Sequence, residues 1–166
     1  MSVRNDLRIT THRPARRRPH LTQALVIGAC LQLVAIALPL VDLWVIGSIE
    51  RHVQNAYPDW GPDQVALDRN AITGYLVGVG VLGLAGWLGA LWSVKRDKAV
   101  RAWVTGLFVA GVAVLLLNVG LGGEHYERFV PLWLSLTLLA IPLLPGVTAV
   151  MAAWALHPVE LPDHRA

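Results

Sequence analysis

The sequence predicts an all-α integral membrane protein, an antiparallel bundle of four transmembrane helices, and three observations carry that expectation. Composition is the first. Of 166 residues, 55% are hydrophobic and only 15% charged, with a mean hydropathy of +0.52, whereas about a quarter of the residues of a soluble domain carry charge. The second is a hairpin: Ile72 to Leu121 reads as an apolar run, a tight basic turn over Lys95–Arg101, and another apolar run. Either run is about 20 residues, enough at roughly 1.5 Å per residue to cross a hydrocarbon core of about 30 Å. Two further apolar segments, Leu21–Gly47 and Phe129–Leu156, complete the bundle and leave little of the chain outside it.

Charge orients the helices. The hairpin turn sets Lys95, Arg96, Lys98 and Arg101 against Asp97, and Arg4, Arg8, Arg13, Arg16, Arg17 and Arg18 precede the first helix with Asp6 as the acid among them. Short segments rich in Lys and Arg stay on the cytoplasmic side, so both termini are expected there, in a plasma membrane. Residues 1–20 read as a disordered basic tail whose arginines meet anionic headgroups. No folded soluble module accompanies them, which argues against nucleic-acid binding. Residues 21–156 form the four-helix domain, with helices at about 21–47, 72–94, 102–121 and 129–156, and 157–166 a second cytoplasmic tail.

Within the first helix, Gln32 lies about 16 Å above the inner edge, near the midplane, and Asp42 about 31 Å above it, at the outer interface. Water reaches a carboxylate there, so Asp42 is expected to be a solvated acid. A bond to a neighbouring helix, or proton or cation handling, are the alternatives. Pro39 is expected to bend the helix. Cys30 is the single cysteine, which leaves no intrachain disulfide and no thiolate cluster; it is expected to be a buried, inert thiol inside the span, the alternative being lipidation, for which Val26-Ile27-Gly28-Ala29-Cys30 satisfies a permissive cleavage pattern.

The outer loop, residues 48–70, holds a possible short helix at Ser48–Ala56, a turn cluster at Tyr57–Pro62, and another helical turn at Asp63–Arg69. Glu50 and His52 are too close in sequence to share a helical face, and no third ligand is near, so no metal site is expected.

The second helix is rich in glycine. Gly74, Gly78, Val81, Ala85 and Gly89 make one small-residue face, answered on the third helix by Gly106, Ala110 and Ala113. Small residues let membrane helices approach closely, so Gly89 is expected opposite Gly106 and Ala85 opposite Ala110. The bland alternative is that glycine is merely frequent in membrane helices. Helix four starts near Pro131, a favoured first-turn residue, and carries Pro142, Pro145 and Gly146. Trp133 and Trp154 lie about 31 Å apart along it, matching two interfaces.

No span contains Lys, Arg or His, so a charge relay and ion pumping are disfavoured. Nucleophilic triads, phosphate loops, His-x-x-x-His pairs and paired intramembrane carboxylates are absent, and no cofactor is expected. Depth matching suggests an outer polar site of Asp42, Tyr75 and Asn118 with His125 above it. Gln32, facing the interior, is expected to bond Thr137, Ser135 or a carbonyl freed by Pro142 or Pro145.

The hairpin Gly83-x-x-Gly86-Trp87 with Lys95-Arg96 and Arg101-x-Trp103, the Tyr57-Pro58 of the outer loop, and Pro131-x-Trp133 with Pro145-Gly146 resemble small four-helix membrane proteins of unknown function from high-GC Gram-positive bacteria. The resemblance covers most of the chain after Leu21 and implies no activity. The expected role is that of an accessory or structural protein binding a partner membrane protein, a second copy or lipid. The runner-up is a small transporter or ligand-binding protein using the outer polar site, with Gln32 as a further ligand-binding candidate beside a water-filled path, and a membrane enzyme comes third.

Overall fold

The computed structural model describes residues 19–96, 99–120 and 128–155. Expectations for the two tails, the hairpin tip at Asp97 and Lys98, and the loop carrying His125 lie outside them. Within the described residues the chain is all helical: α1 (Pro19–Val41), one π-helical turn (Asp42–Ile46), α2 (Ser48–Ala56), α3 (Pro62–Arg96), α4 (Val100–Gly120) and α5 (Leu132–Trp154). Four segments, α1 with its π turn, α3, α4 and α5, are long and apolar enough to cross a membrane.

The interior face of α1 follows one rule. Leu21, Leu25, Gly28, Gln32, Ala35, Pro39 and then Asp42 are its buried residues, alternating steps of four and three. That spacing is the heptad stripe that keeps one face of a helix against its neighbours. Both polar residues of the segment's deeper part, Gln32 and Asp42, fall on the stripe, while Val26, Ile27, Leu33 and Val34 point outward, as does Cys30, whose expected burial is corrected because it lies off the stripe. Polar groups inside and apolar ones outside is the reverse of a water-soluble helix.

α3 is a single helix of 35 residues, about 51 Å long, instead of a span from 72 with a separate turn before it. No Pro or Gly interrupts Asp63–Thr73, so the helical turn at Asp63–Arg69 has no reason to end. The extra length gives α2 a wall: Ile49 and Val53 bury fully against Val65, Ile72 and Leu76, with Val130 and Leu134 closing the cluster. Fully burying each such aliphatic side chain contributes about 1.5–3 kcal/mol. Across the polar rim Arg69 pairs with Glu50 at 2.7 Å, and His52 donates from Nε2 to the Arg128 carbonyl at 2.7 Å.

A second apolar cluster closes the opposite end, where Leu21 and Leu25 meet Ala90, Val100, Val104, Ala149 and Ala153. There Arg101 donates to the Ala153 carbonyl at 3.2 Å and Trp154 to the Thr105 hydroxyl at 3.1 Å. Between the two cores the helices form a row: α3 packs on α1, α1 on α5 and α5 on α4, whereas α3 and α4 touch little despite being consecutive.

This arrangement corrects the expected hairpin packing. A Cβ added at Gly78, Gly89 or Gly106 would meet nothing within 4 Å, and Ala85 and Ala110 are exposed. The close approaches lie elsewhere. At Gly28 an added Cβ would sit 2.4 Å from the Trp87 ring, and at Gly146 it would sit 2.5 Å from the Phe108 ring. The reason is competition for faces: α3 presents Gly80, Gly83 and Trp87 to α1, which turns Gly74, Gly78 and Gly89 away from the interior.

Candidate functional site

Gln32 is 8% exposed and donates from Nε2 to the Gly80 carbonyl at 3.1 Å. Gly83, one turn further along α3, makes room for the amide, since a Cβ there would lie 3.0 Å from Gln32 Cδ and Nε2. The amide therefore faces the interior, but its partner is on α3, not α5. Thr137 instead bonds its own helix, at the Trp133 carbonyl, 2.7 Å away. A closely approaching glycine face offers a carbonyl to Gln32 that no proline needs to free.

Asp42 is not a solvated acid: it is 0% exposed. The π turn and Gly47, in the left-handed region at φ 67°, swing the chain so that this carboxylate faces the start of α2. It accepts from the Ile49 N–H at 2.9 Å, from the Ser48 N–H at 3.1 Å and from the Ser48 hydroxyl. Trp133 of α5 adds its indole N–H to the same hydroxyl at 3.2 Å. The first N–H groups of a helix have no intrahelical acceptor, and a carboxylate there satisfies them and complements the helix dipole. Asp42 thus caps α2 and ties α1, α2 and α5 together.

The other members of the expected outer site part company. Tyr75 is exposed and stands edge-on to Phe129, ring centroids 5.9 Å apart. His125 lies outside the described residues. Asn118, 4% exposed, borders the space between the long helices, and its Nδ2 donates to the Val114 carbonyl at 2.9 Å. Among the described residues no group of three His, Cys, Asp or Glu stands close enough to hold a metal ion.

That space is a cavity of about 330 Å³ between the two cores, lined by all four long helices, at the lower end of small-ligand sites, about 300–1,000 Å³. Its wall runs from Val104 to Asn118 along α4 and from Ser135 to Ala149 along α5, about 21 Å in each case. It is elongated along the helices. Gln32, Asn118, Ser135 and the Trp87 indole carry the only polar side-chain atoms in a lining otherwise of aliphatic residues, Phe108, proline and glycine. Leu82, Ala110, Gly111 and Val114 line it and are also exposed, so the cavity opens sideways where α3 and α4 diverge.

Two polar atoms in the wall stand out. Ser135 is 4% exposed, and neither its hydroxyl nor Asn118 Oδ1 has a hydrogen-bond partner. Ser135 figured in the sequence reading only as a partner for Gln32; one hydroxyl in the first turns of an apolar helix carries no further signal. Compared with known families, curated proteins and solved structures, the chain matches none.

Proposed function

We propose that the chain is a multi-pass protein of the bacterial plasma membrane, an antiparallel four-helix transmembrane bundle with both termini cytoplasmic. In this reading it acts without catalysis, as an accessory protein that holds a membrane lipid in its central cavity. The observation that carries the reading is the sideways opening between α3 and α4 into an apolar cavity 330 Å³ in volume. In a bilayer that opening faces acyl chains, and a polar or ionic cargo finds few partners along the wall. Exposed apolar side chains such as Leu82, Leu88, Val109 and Leu144 around the four long helices favour a hydrocarbon surround. The basic hairpin turn and N-terminal arginines favour the orientation, the latter against anionic headgroups.

A second reading has one observation in its favour: the open small-residue face of Gly78, Ala85 and Gly89 suits a helix from a partner membrane protein or a second copy.

The test is retention. Protein purified in mild detergent, exhaustively exchanged and extracted, should carry about one lipid per chain by mass spectrometry, as expected for a ligand largely enclosed by its site. Gly111→Leu, which extends a side chain from the cavity wall into open space, should remove it. Lipid no more abundant than in a control membrane protein, or retained equally by the variant, would contradict the proposal. Co-elution of a stoichiometric polypeptide instead would favour the second reading. Reporters fused after Ala166 and within Lys95–Arg101 should read cytoplasmic and one near Trp60 external, the reverse pattern overturning the orientation.

A further inference from the structure

The cavity opens to the side between α3 and α4, and the same two helices are joined by the basic turn. Resting on the reading that the cavity holds a lipid, we propose that this lipid is an anionic glycerophospholipid of the leaflet at the turn's end of the bundle. Its acyl chain enters the opening, and its headgroup phosphate is held beside Arg96 and Arg101.

The distance from opening to turn suits one leaflet. Ala110 and Gly111, which line the cavity and are exposed, sit at the middle of α4, and Arg101 lies about 14 Å from Ala110 along that helix. Half of a hydrocarbon core of about 30 Å is about 15 Å, so a lipid whose chain ends in the opening has its phosphate at the level of Arg101. On α3 one face links the same two levels. Leu82, exposed at the opening, is followed at steps of three and four by Ala85, Gly89, Trp92 and Arg96, and residues so spaced share a helix face. The Arg96 guanidinium lies over the Trp92 ring, 3.9 Å from its centroid, which brings the charge back one turn towards the opening. Trp92 is about 15 Å from Leu82 along α3. Both guanidinium groups therefore stand one leaflet's depth from the opening.

An opening at mid-span is as deep from one surface as from the other, so depth alone admits either leaflet. Charge chooses. Among the described residues the turn's end carries Lys95, Arg96 and Arg101 and no acid, whereas Asp42, Glu50, Asp59, Asp63 and Asp68 all lie towards the opposite end. An anionic headgroup is thus attracted to the first end and repelled from the second. A phosphoethanolamine headgroup would set its own ammonium among three cations. The ring that Arg96 covers also serves the contact: a guanidinium stacked on an aromatic face keeps its N–H groups in its own plane, where paired donors match phosphate oxygens. Arg101 supplies its charge from a fixed place, since its Nε donates to the Ala153 carbonyl at 3.2 Å and its guanidinium stands 5.8 Å from the centre of the Trp154 ring.

The test titrates phosphatidylglycerol and phosphatidylethanolamine with identical acyl chains against the full-length protein in detergent, followed by native mass spectrometry. Phosphatidylglycerol should bind about tenfold more tightly. Arg96→Gln should weaken it about fivefold, as expected for one basic side chain at a headgroup, and leave phosphatidylethanolamine unchanged, while Arg51→Gln at the opposite end should alter neither. Equal binding of the two lipids by the wild-type protein, both being lost in Gly111→Leu, would overturn the anionic assignment and leave the lipid reading standing. So would a preference that responds to Arg51→Gln instead of Arg96→Gln. Absence of saturable binding of either lipid, or binding undiminished in Gly111→Leu, would overturn both. The wild-type comparison needs no variant, so a folding defect in Arg96→Gln does not shelter the inference.

Discussion

The side-chain nitrogen of Gln32 lies 3.1 Å from the carbonyl oxygen of Gly80, and that pairing joins the middle of α1 to the middle of α3. Interhelical hydrogen bonds in membrane proteins average about 0.6 kcal/mol, so Gln32→Leu, close in volume, should reduce stability in detergent only slightly. Gly28→Leu and Gly146→Leu should each cost far more, about 1–3 kcal/mol, because their Cβ atoms would enter the Trp87 and Phe108 rings. Gly78→Leu and Gly89→Leu meet open space and should be tolerated. Thermal unfolding of the five variants side by side checks the ranking. Equal losses at all four glycines would remove the packing argument.

The same helix pair permits a covalent test. A Cβ at Gly80 would lie 3.6 Å from the Cβ of Ile36, within the range of about 3.5–4.5 Å that disulfides adopt. In a Cys30→Ser background, Ile36→Cys with Gly80→Cys should crosslink on mild oxidation, seen as a mass loss of two hydrogens and a faster-migrating band. Failure to oxidise would place α1 and α3 in a different register.

Capping by Asp42 makes a local prediction. Asp42→Ala removes the acceptor of the Ser48 and Ile49 N–H groups, and loss of a cap costs about 0.5–2 kcal/mol. Amide hydrogen exchange in α2 should rise, while α4, which Asp42 does not bond, stays protected. Ser48→Ala should raise it less, since the carboxylate keeps both backbone donors. Uniform exchange changes across the chain would contradict a capping role.

How far the sequence could be read depends on whether a feature is local. The four apolar segments, the basic turn and the short helix at Ser48–Ala56 follow from composition and periodicity within about 20 residues of chain. Burial of Asp42 was legible in part: it completes the four-three stripe that starts at Leu21, a pattern that outranks its depth. The π turn and Gly47 that aim the carboxylate at α2 leave no comparable mark. Pairing Gly89 with Gly106 followed from assuming that consecutive helices pack along their length. Whether they do is decided by α1, which takes the Gly80, Gly83 and Trp87 face of α3, and no local pattern in the hairpin reveals that competition. A cavity is less legible still, being the volume left over when α3 and α4 diverge. Asn118 was singled out by its depth, but the cavity it borders was not.

Trp87 lines the cavity, and its ring rests on Gly28, which makes it a reporter of what enters. Its fluorescence, taken as the difference between the wild-type protein and Trp87→Phe, is measured in vesicles of lipids brominated midway along the acyl chain. A lipid chain inside the cavity should quench Trp87 strongly, and Gly111→Leu should relieve most of that quenching while the exposed Trp44 and Trp133 are unaffected. Quenching of Trp87 that is absent from the start, or that persists undiminished in Gly111→Leu, would contradict a hydrocarbon chain held between α3 and α4.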